Sequence, residues 1–171
     1  MSSGGGPRAA GSGRADEGKF RQRVDTHYKE MAAAKKKIGY AGVLGLAGAA
    51  GFVTMTFTAA MQDQVPIAVL AIMYALMGAV THRGAGPAAG SVNAEKKAAS
   101  YNGYLRYQGF ALAFAGPILM GIGSDAELVI LLGFGGVWLA SVVAAAMGYF
   151  ASTALLDAFR QQKLKADAKK Q

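Results

Sequence analysis

The side chains able to titrate near neutrality or to take a soft metal are few: two histidines, His27 and His82, and no cysteine. Proton transfer needs a base within hydrogen-bond reach of the proton it moves, and a structural zinc site needs four nitrogen, sulfur or oxygen ligands converging on one point. Two histidines far apart in the sequence meet neither condition, so no metal and no cofactor is expected. Asp63, Asp125 and Glu127 stand in short polar connections and read as solvated turn residues rather than a cation site. Thr54, Thr56, Thr58, Ser141, Ser152 and Thr153 lie inside apolar stretches. There a hydroxyl bonds its own helix or a neighbour more readily than it acts as a nucleophile. With no phosphate-binding glycine loop and no nucleophile–base pattern, the chain is not expected to be an enzyme.

The elements that would have to position such groups are apolar. Of 171 residues, 53% are hydrophobic and only 16% charged, against about 25% charged in a typical soluble domain. Residues 38–60, 64–82, 107–124 and 128–156 contain no Asp, Glu, Lys or Arg. A helix crosses the roughly 30 Å hydrocarbon layer with about 20 apolar residues, and backbone amides in lipid must be satisfied internally. Period-2 alternation of the barrel type is missing. The sequence therefore predicts an all-α protein: an integral membrane four-helix bundle within residues 38–160, with spans at about 38–60, 65–82, 105–123 and 128–153.

The charges fix an expected sidedness. Residues 1–37 carry nine Lys or Arg, 83–106 carry four and 157–171 carry five, which together make all 18. By the excess of Lys and Arg in cytosolic segments, both termini and the middle connection face the cytosol, and the two short turns face the far side. The formal charge of +8 is then a consequence of topology, and no nucleic-acid partner is expected. Charge-free spans also oppose a transporter, which moves charge with intramembrane ionisable groups.

Outside the spans, residues 1–18 read as a disordered basic arm without the apolar core of a secretory signal. Residues 19–37 read as a juxtamembrane amphipathic helix on the cytosolic side. Its stripe is Phe20, Val24, Tyr28 and Met31, with Arg21 and Arg23 largely off the stripe. Lys35, Lys36 and Lys37 follow at the membrane boundary, each worth about 1 kcal/mol beside an anionic leaflet. That helix is either solvated, or lies on lipid or docks a partner. Residues 161–171 form a basic tail ending in Lys169, Lys170 and Gln171.

Inside the spans, Gly39, Gly42, Gly45, Gly48 and Gly51 recur every third residue, so they wind round the helix and let more than one neighbour approach. Gly136, Ala140, Ala144, Gly148 and Ser152 recur every fourth, a groove of the kind that lets helices touch in lipid. Packing within the bundle is the favoured reading, and packing against a second copy or another membrane protein the alternative. Pro117 is expected to kink the third span. Tyr101, Tyr104 and Tyr107 are expected at the interface, and residues 84–90 as a flexible turn.

The segment Gly6-Pro7-Arg8-Ala9-Ala10-Gly11, the run Arg23-Val24-Asp25-Thr26-His27-Tyr28, the turn Gly116-Pro117-Ile118-Leu119 and Leu155-Leu156-Asp157 with Phe159 resemble the jagunal family of endoplasmic-reticulum membrane proteins. The resemblance implies a four-span protein with cytosolic termini that organises the reticulum and supports early secretory and vesicle traffic without catalysis. Lys169 and Lys170 stand one place out of the register of a dilysine retrieval tail. The implied partners are the lipid bilayer and traffic factors or other membrane proteins, in a homo- or hetero-oligomer. The alternative is a small accessory subunit of a mitochondrial or plastid membrane complex, packing through Gly/Ala-rich helices.

Overall fold

The computed structural model describes residues 12–122 and 128–168, and its regular structure there is helical throughout. The elements are α1 (Ser12–Met61), α2 (Val65–His82), α3 (Ala85–Gly90), α4 (Ala94–Ile122) and α5 (Leu128–Ala168). At about 1.5 Å per residue, α1 with its 50 residues is about 75 Å long and α5 with 41 about 60 Å. Both exceed the thickness of a hydrocarbon layer.

Helix α1 differs from the sequence expectation. It runs unbroken from Ser12, within the stretch expected as a disordered arm, through residues 19–37 and into the first apolar stretch, with no boundary at 18 or 37. The reason is local: Met31-Ala32-Ala33-Ala34-Lys35-Lys36-Lys37 contains only good helix formers and no Gly or Pro to stop the turn. Residues 19–37 therefore continue the axis of α1 instead of forming a separate element. Met31 and Ala34 are buried, whereas Tyr28 is exposed. Residues 1–11 of the expected arm lie outside the described residues.

The turn from α1 to α2 closes through Gln64 N–H donating to the Ala59 carbonyl at 2.8 Å. Asp63 takes φ 57°, a left-handed conformation that Asp tolerates better than most residues. Pro66 sits in the first turn of α2, where a missing amide leaves no bond unmade. The stretch 84–90, expected as a flexible turn, is the short helix α3, with Ala85 and Ala88 buried. Helix α4 continues through Gly116 and Pro117 as helix.

Residue pairing sets the arrangement. Gly45 meets His82, and Ala49 meets Gly78; Gly48 meets Ser141, Gly51 meets Val137, and Gly133 meets Met55. As numbers rise along α1 they fall along α2 and α5, so α1 is antiparallel to both. Helix α4 is antiparallel to α5 through Asn102 with Ser152 and Leu112 with Trp138, and to α2 through Tyr74 with Ala111. Helix α3 packs on α1 and α4.

Phe52 lies at the centre, with its ring centroid 5.5 Å from Tyr74 in a stacked pair and 5.4 Å from Phe134 edge-on. Ile38, Ile67, Leu105, Leu112, Ile130 and Leu155 are also fully buried. Outside that core the helices carry Leu46, Phe57, Val69, Met73, Leu76, Leu132 and Leu139, all exposed. Soluble monomers rarely expose so extensive an apolar surface. Three segments, Asp25–Met61, Val65–Gly90 and Leu128–Ala168, are long and apolar enough to cross a membrane, which points to a membrane protein.

Candidate functional site

Polar groups gather where the four long helices meet at the level of Gly45. His82 is 1% exposed. Its ring lies where a side chain on Gly45 would stand, so a Cβ there would coincide with ring atoms. Only glycine on α1 lets the imidazole enter the core. His82 Nδ1 and the Tyr101 hydroxyl share a hydrogen bond of 3.2 Å, with the rings edge-on at 6.2 Å. Tyr101, expected at the interface, is 1% exposed because Gly148 clears space for it: a Cβ there would stand 2.7 Å from the tyrosine oxygen. Tyr104 and Tyr107 are exposed.

Gln108 lies one turn deeper, also buried, with its amide nitrogen over Gly78. His82 Nε2 and Gln108 Oε1 have no hydrogen-bond partner among the described residues. A buried polar atom left unpaired costs about 1–3 kcal/mol, so these two are the least satisfied points of the core. On α4, Asn102 Nδ2 donates to Ser152 Oγ at 2.8 Å and Thr153 Oγ1 at 3.0 Å. Trp138 Nε1 donates to the Leu112 carbonyl at 2.8 Å. Hydroxyls in the apolar stretches donate to carbonyls one turn back: Thr56 to Phe52 at 2.9 Å, Ser141 to Val137 at 2.9 Å and Thr153 to Tyr149 at 2.9 Å.

The residues singled out from sequence fall into three groups. Gly45 and Gly48 stand at close approaches, to His82 and to Ser141; Ala144, Gly148 and Ser152 are buried on α5. Gly136 departs from the expected groove. It is exposed and nothing lies within 4 Å of where its Cβ would be, while Gly133, one turn away, meets Met55. Ala140 is half-buried. The inward face of α5 turns away from 136 because the helix follows its 3.6-residue period, which a repeat of four overshoots. Lys35 is half-buried, Lys36 and Lys37 are exposed, and the Lys36 ammonium lies 5.7 Å from the Tyr40 ring centre. Arg21 and Arg23 belong to α1 but their side chains lie outside the described residues, as do Lys169, Lys170, Asp125 and Glu127.

Asn102, Gln108 and Trp138 were not singled out from sequence. Their signal was there: polar side chains in or beside charge-free stretches, which in lipid tend to find a partner on a neighbouring helix. Among the described residues no three His, Asp or Glu side chains come together as a metal site. The projecting ends of α1, α4 and α5 are tied by Lys163 to Glu95 at 2.8 Å and by Gln162 Nε2 to Met31 Sδ at 3.5 Å.

The molecule is thus an all-helical protein with membrane-length apolar helices and a polar core at one level. Comparison with protein-family models, curated proteins and solved structures finds no match to this chain.

Proposed function

We propose that α1, α2, α4 and α5 form a four-span membrane bundle of the endoplasmic reticulum, with both termini in the cytosol and a jagunal-like, non-enzymatic role. In this role the protein organises the membrane and supports early secretory and vesicle traffic. The single observation that carries the reading is the level of the basic residues. Arg83 follows His82, which meets Gly45, and Arg106 follows Leu105, which meets Gly148 beside Ala41. Both arginines therefore stand at one height, opposite residues 41–45 of α1. Beyond that height project residues 25–40 of α1, the start of α4 and the end of α5, which hold the remaining Lys and Arg of the described side chains. Below it the four helices are free of charge as far as the turn at Asp63. This is the distribution expected of a cytosolic boundary, and it leaves the helical ends as a platform for traffic partners.

A second reading, an accessory subunit of a mitochondrial or plastid membrane complex, draws on the half-buried Gly135 and exposed Gly136 of α5, where nothing lies within 4 Å of a Cβ and which another protein's helix would fit. Fractionation of cells expressing the tagged full chain separates the two. The first reading expects tagged protein in reticulum membranes, resistant to alkaline extraction. Exclusive residence in mitochondria or plastids, with co-migration on native gels with a large complex, overturns it.

A further inference from the structure

The outer seam between α4 and α5 opens into a groove of about 930 Å³. It lies between two polar ties: Asn102 with Ser152 and Thr153 at one end, and Trp138 with Leu112 at the other. Ten residues of α4 separate the ties, which makes the groove about 15 Å long. Gly103, Gly109, Ala145 and Ala146 line it and keep it open. Among the described residues, no side chain and no other helix lies within 4 Å of where a Cβ would stand on either glycine. Phe110 and Phe150 wall it, both exposed. Among the lining residues Arg106 alone is charged. Its guanidinium lies 6.0 Å from the Tyr149 ring centre and pairs with no carboxylate among the described residues. Tyr107 stands beside it, largely exposed.

We infer that this groove binds one anionic phospholipid, with the phosphate on Arg106 and one acyl chain along the Gly109–Ala146 floor. The inference rests on the membrane reading. Arginine on the α4 rim, at the height of Arg83, stands where headgroups would be, and its planar donor fork suits phosphate oxygens. The Tyr149 ring centre lies 6.0 Å from the guanidinium carbon, within the range of a cation–π attraction. The floor below is apolar and as long as a substantial part of an acyl chain. A partner helix would have to bring its own acid to meet Arg106 or leave a buried charge unpaired at high cost, whereas an anionic headgroup supplies the counter-charge at the surface, so lipid is the occupant that fits with fewer requirements.

Native mass spectrometry of the full chain from mixed phosphatidylcholine–phosphatidylserine micelles tests this. The wild-type protein is expected to retain one phosphatidylserine in preference to phosphatidylcholine. Arg106→Gln is expected to lower that preference about tenfold, the scale of losing one charge-assisted contact. Gly109→Leu, which fills open space and leaves the fold intact, is expected to lower retention of both lipids. Arg83→Gln, at the same height but outside the groove, is expected to change neither. Equal loss from Arg83→Gln, or unchanged selectivity in both groove variants, overturns the site. So does a dimer that Gly109→Leu dissolves, which assigns the groove to a second copy. Alkaline extraction of the same protein from membranes is the separate check: release into the soluble fraction defeats the membrane reading itself, whereas an embedded protein without lipid preference defeats only the groove.

Discussion

Glycine serves opposite ends on two sides of this molecule. Along α1, Gly42 faces Ala85, Gly45 faces His82, Gly48 faces Ser141 and Gly51 faces Val137. Along the outer side of α4 and α5, Gly103, Gly109, Gly135 and Gly136 face nothing within 4 Å. Each is an interior helical glycine, and each costs roughly 0.5–1 kcal/mol relative to alanine. From Gly42 to Gly51 that cost is offset within the chain, because missing side chains let α2, α3 and α5 touch the backbone; Gly39, at the start of the same repeat, meets nothing within 4 Å among the described residues. On the outer side nothing among the described residues offsets it, which leaves those positions open to lipid or to another molecule. The residue type alone does not distinguish the two cases; the neighbour does.

The contrast is tested most severely at Gly45. Leucine there meets the His82 ring, which is fully buried and held by Tyr101, so neither side can yield. We expect Gly45→Leu to cost about 3 kcal/mol or more, the upper range for overpacking, read as a large fall in the thermal midpoint in detergent followed by Trp138 fluorescence. Gly148→Leu is expected to cost somewhat less, about 2 kcal/mol, since the nearest side chains there include the flexible end of Leu105, 3.1 Å from where a Cβ would stand. A wild-type midpoint in Gly45→Leu would show that α1 and α2 are not seated against each other at His82.

Tyr101→Phe probes the same seat without adding volume. It removes the one hydrogen-bond partner of His82 Nδ1 and leaves the ring with neither nitrogen bonded to a described protein group. The expected loss is about 1–3 kcal/mol. Tyr107→Phe, on the exposed side of the same helix, is expected to stay within about 0.5 kcal/mol. Equal effects in the two variants would place Tyr101 outside the core.

The helical class was legible because charge-free length needs no knowledge of neighbours: α2 begins and ends where its apolar stretch does, at Val65 and His82, whereas α1, α4 and α5 run past theirs and α4 is not among the three segments long and apolar enough to cross a membrane. The three-residue glycine repeat on α1 also foretold more than one close neighbour, since a step of three on a 3.6-residue helix drifts from the α2–α3 side to the α5 side. What failed depended on partners. Tyr101 looks interfacial in sequence, yet Gly148, far along the chain, draws it inward. The glycines at 84–90 suggested mobility, yet Gly42 gives Ala85 a place to pack. Residues 19–37 looked like a separate element because an amphipathic stripe ends in the charges at Lys35–Lys37; the helical backbone does not register that change. At the candidate site, Gly45, Gly48 and Gly148 were visible as small residues, whereas their counterparts His82, Ser141 and Tyr101 became visible only in three dimensions.

The smallest effect is expected at Gly136. Leucine there enters open space, and its better helix propensity, by up to about 1 kcal/mol, opposes any small loss, so the midpoint of the isolated protein should move by less than about 0.5 kcal/mol equivalent. Association is the property that should respond. A leucine on a flat glycine surface holds an approaching helix away from the backbone, where small-residue contacts form. Cross-linking in native membranes therefore reads what melting does not: a cross-linked species present in the wild type and lost in Gly136→Leu, at unchanged midpoint, marks this side of α5 as a surface for another protein. If the substitution instead lowers the midpoint as far as Gly148→Leu does, the face is closed within the chain and the distinction between the two glycine sets fails.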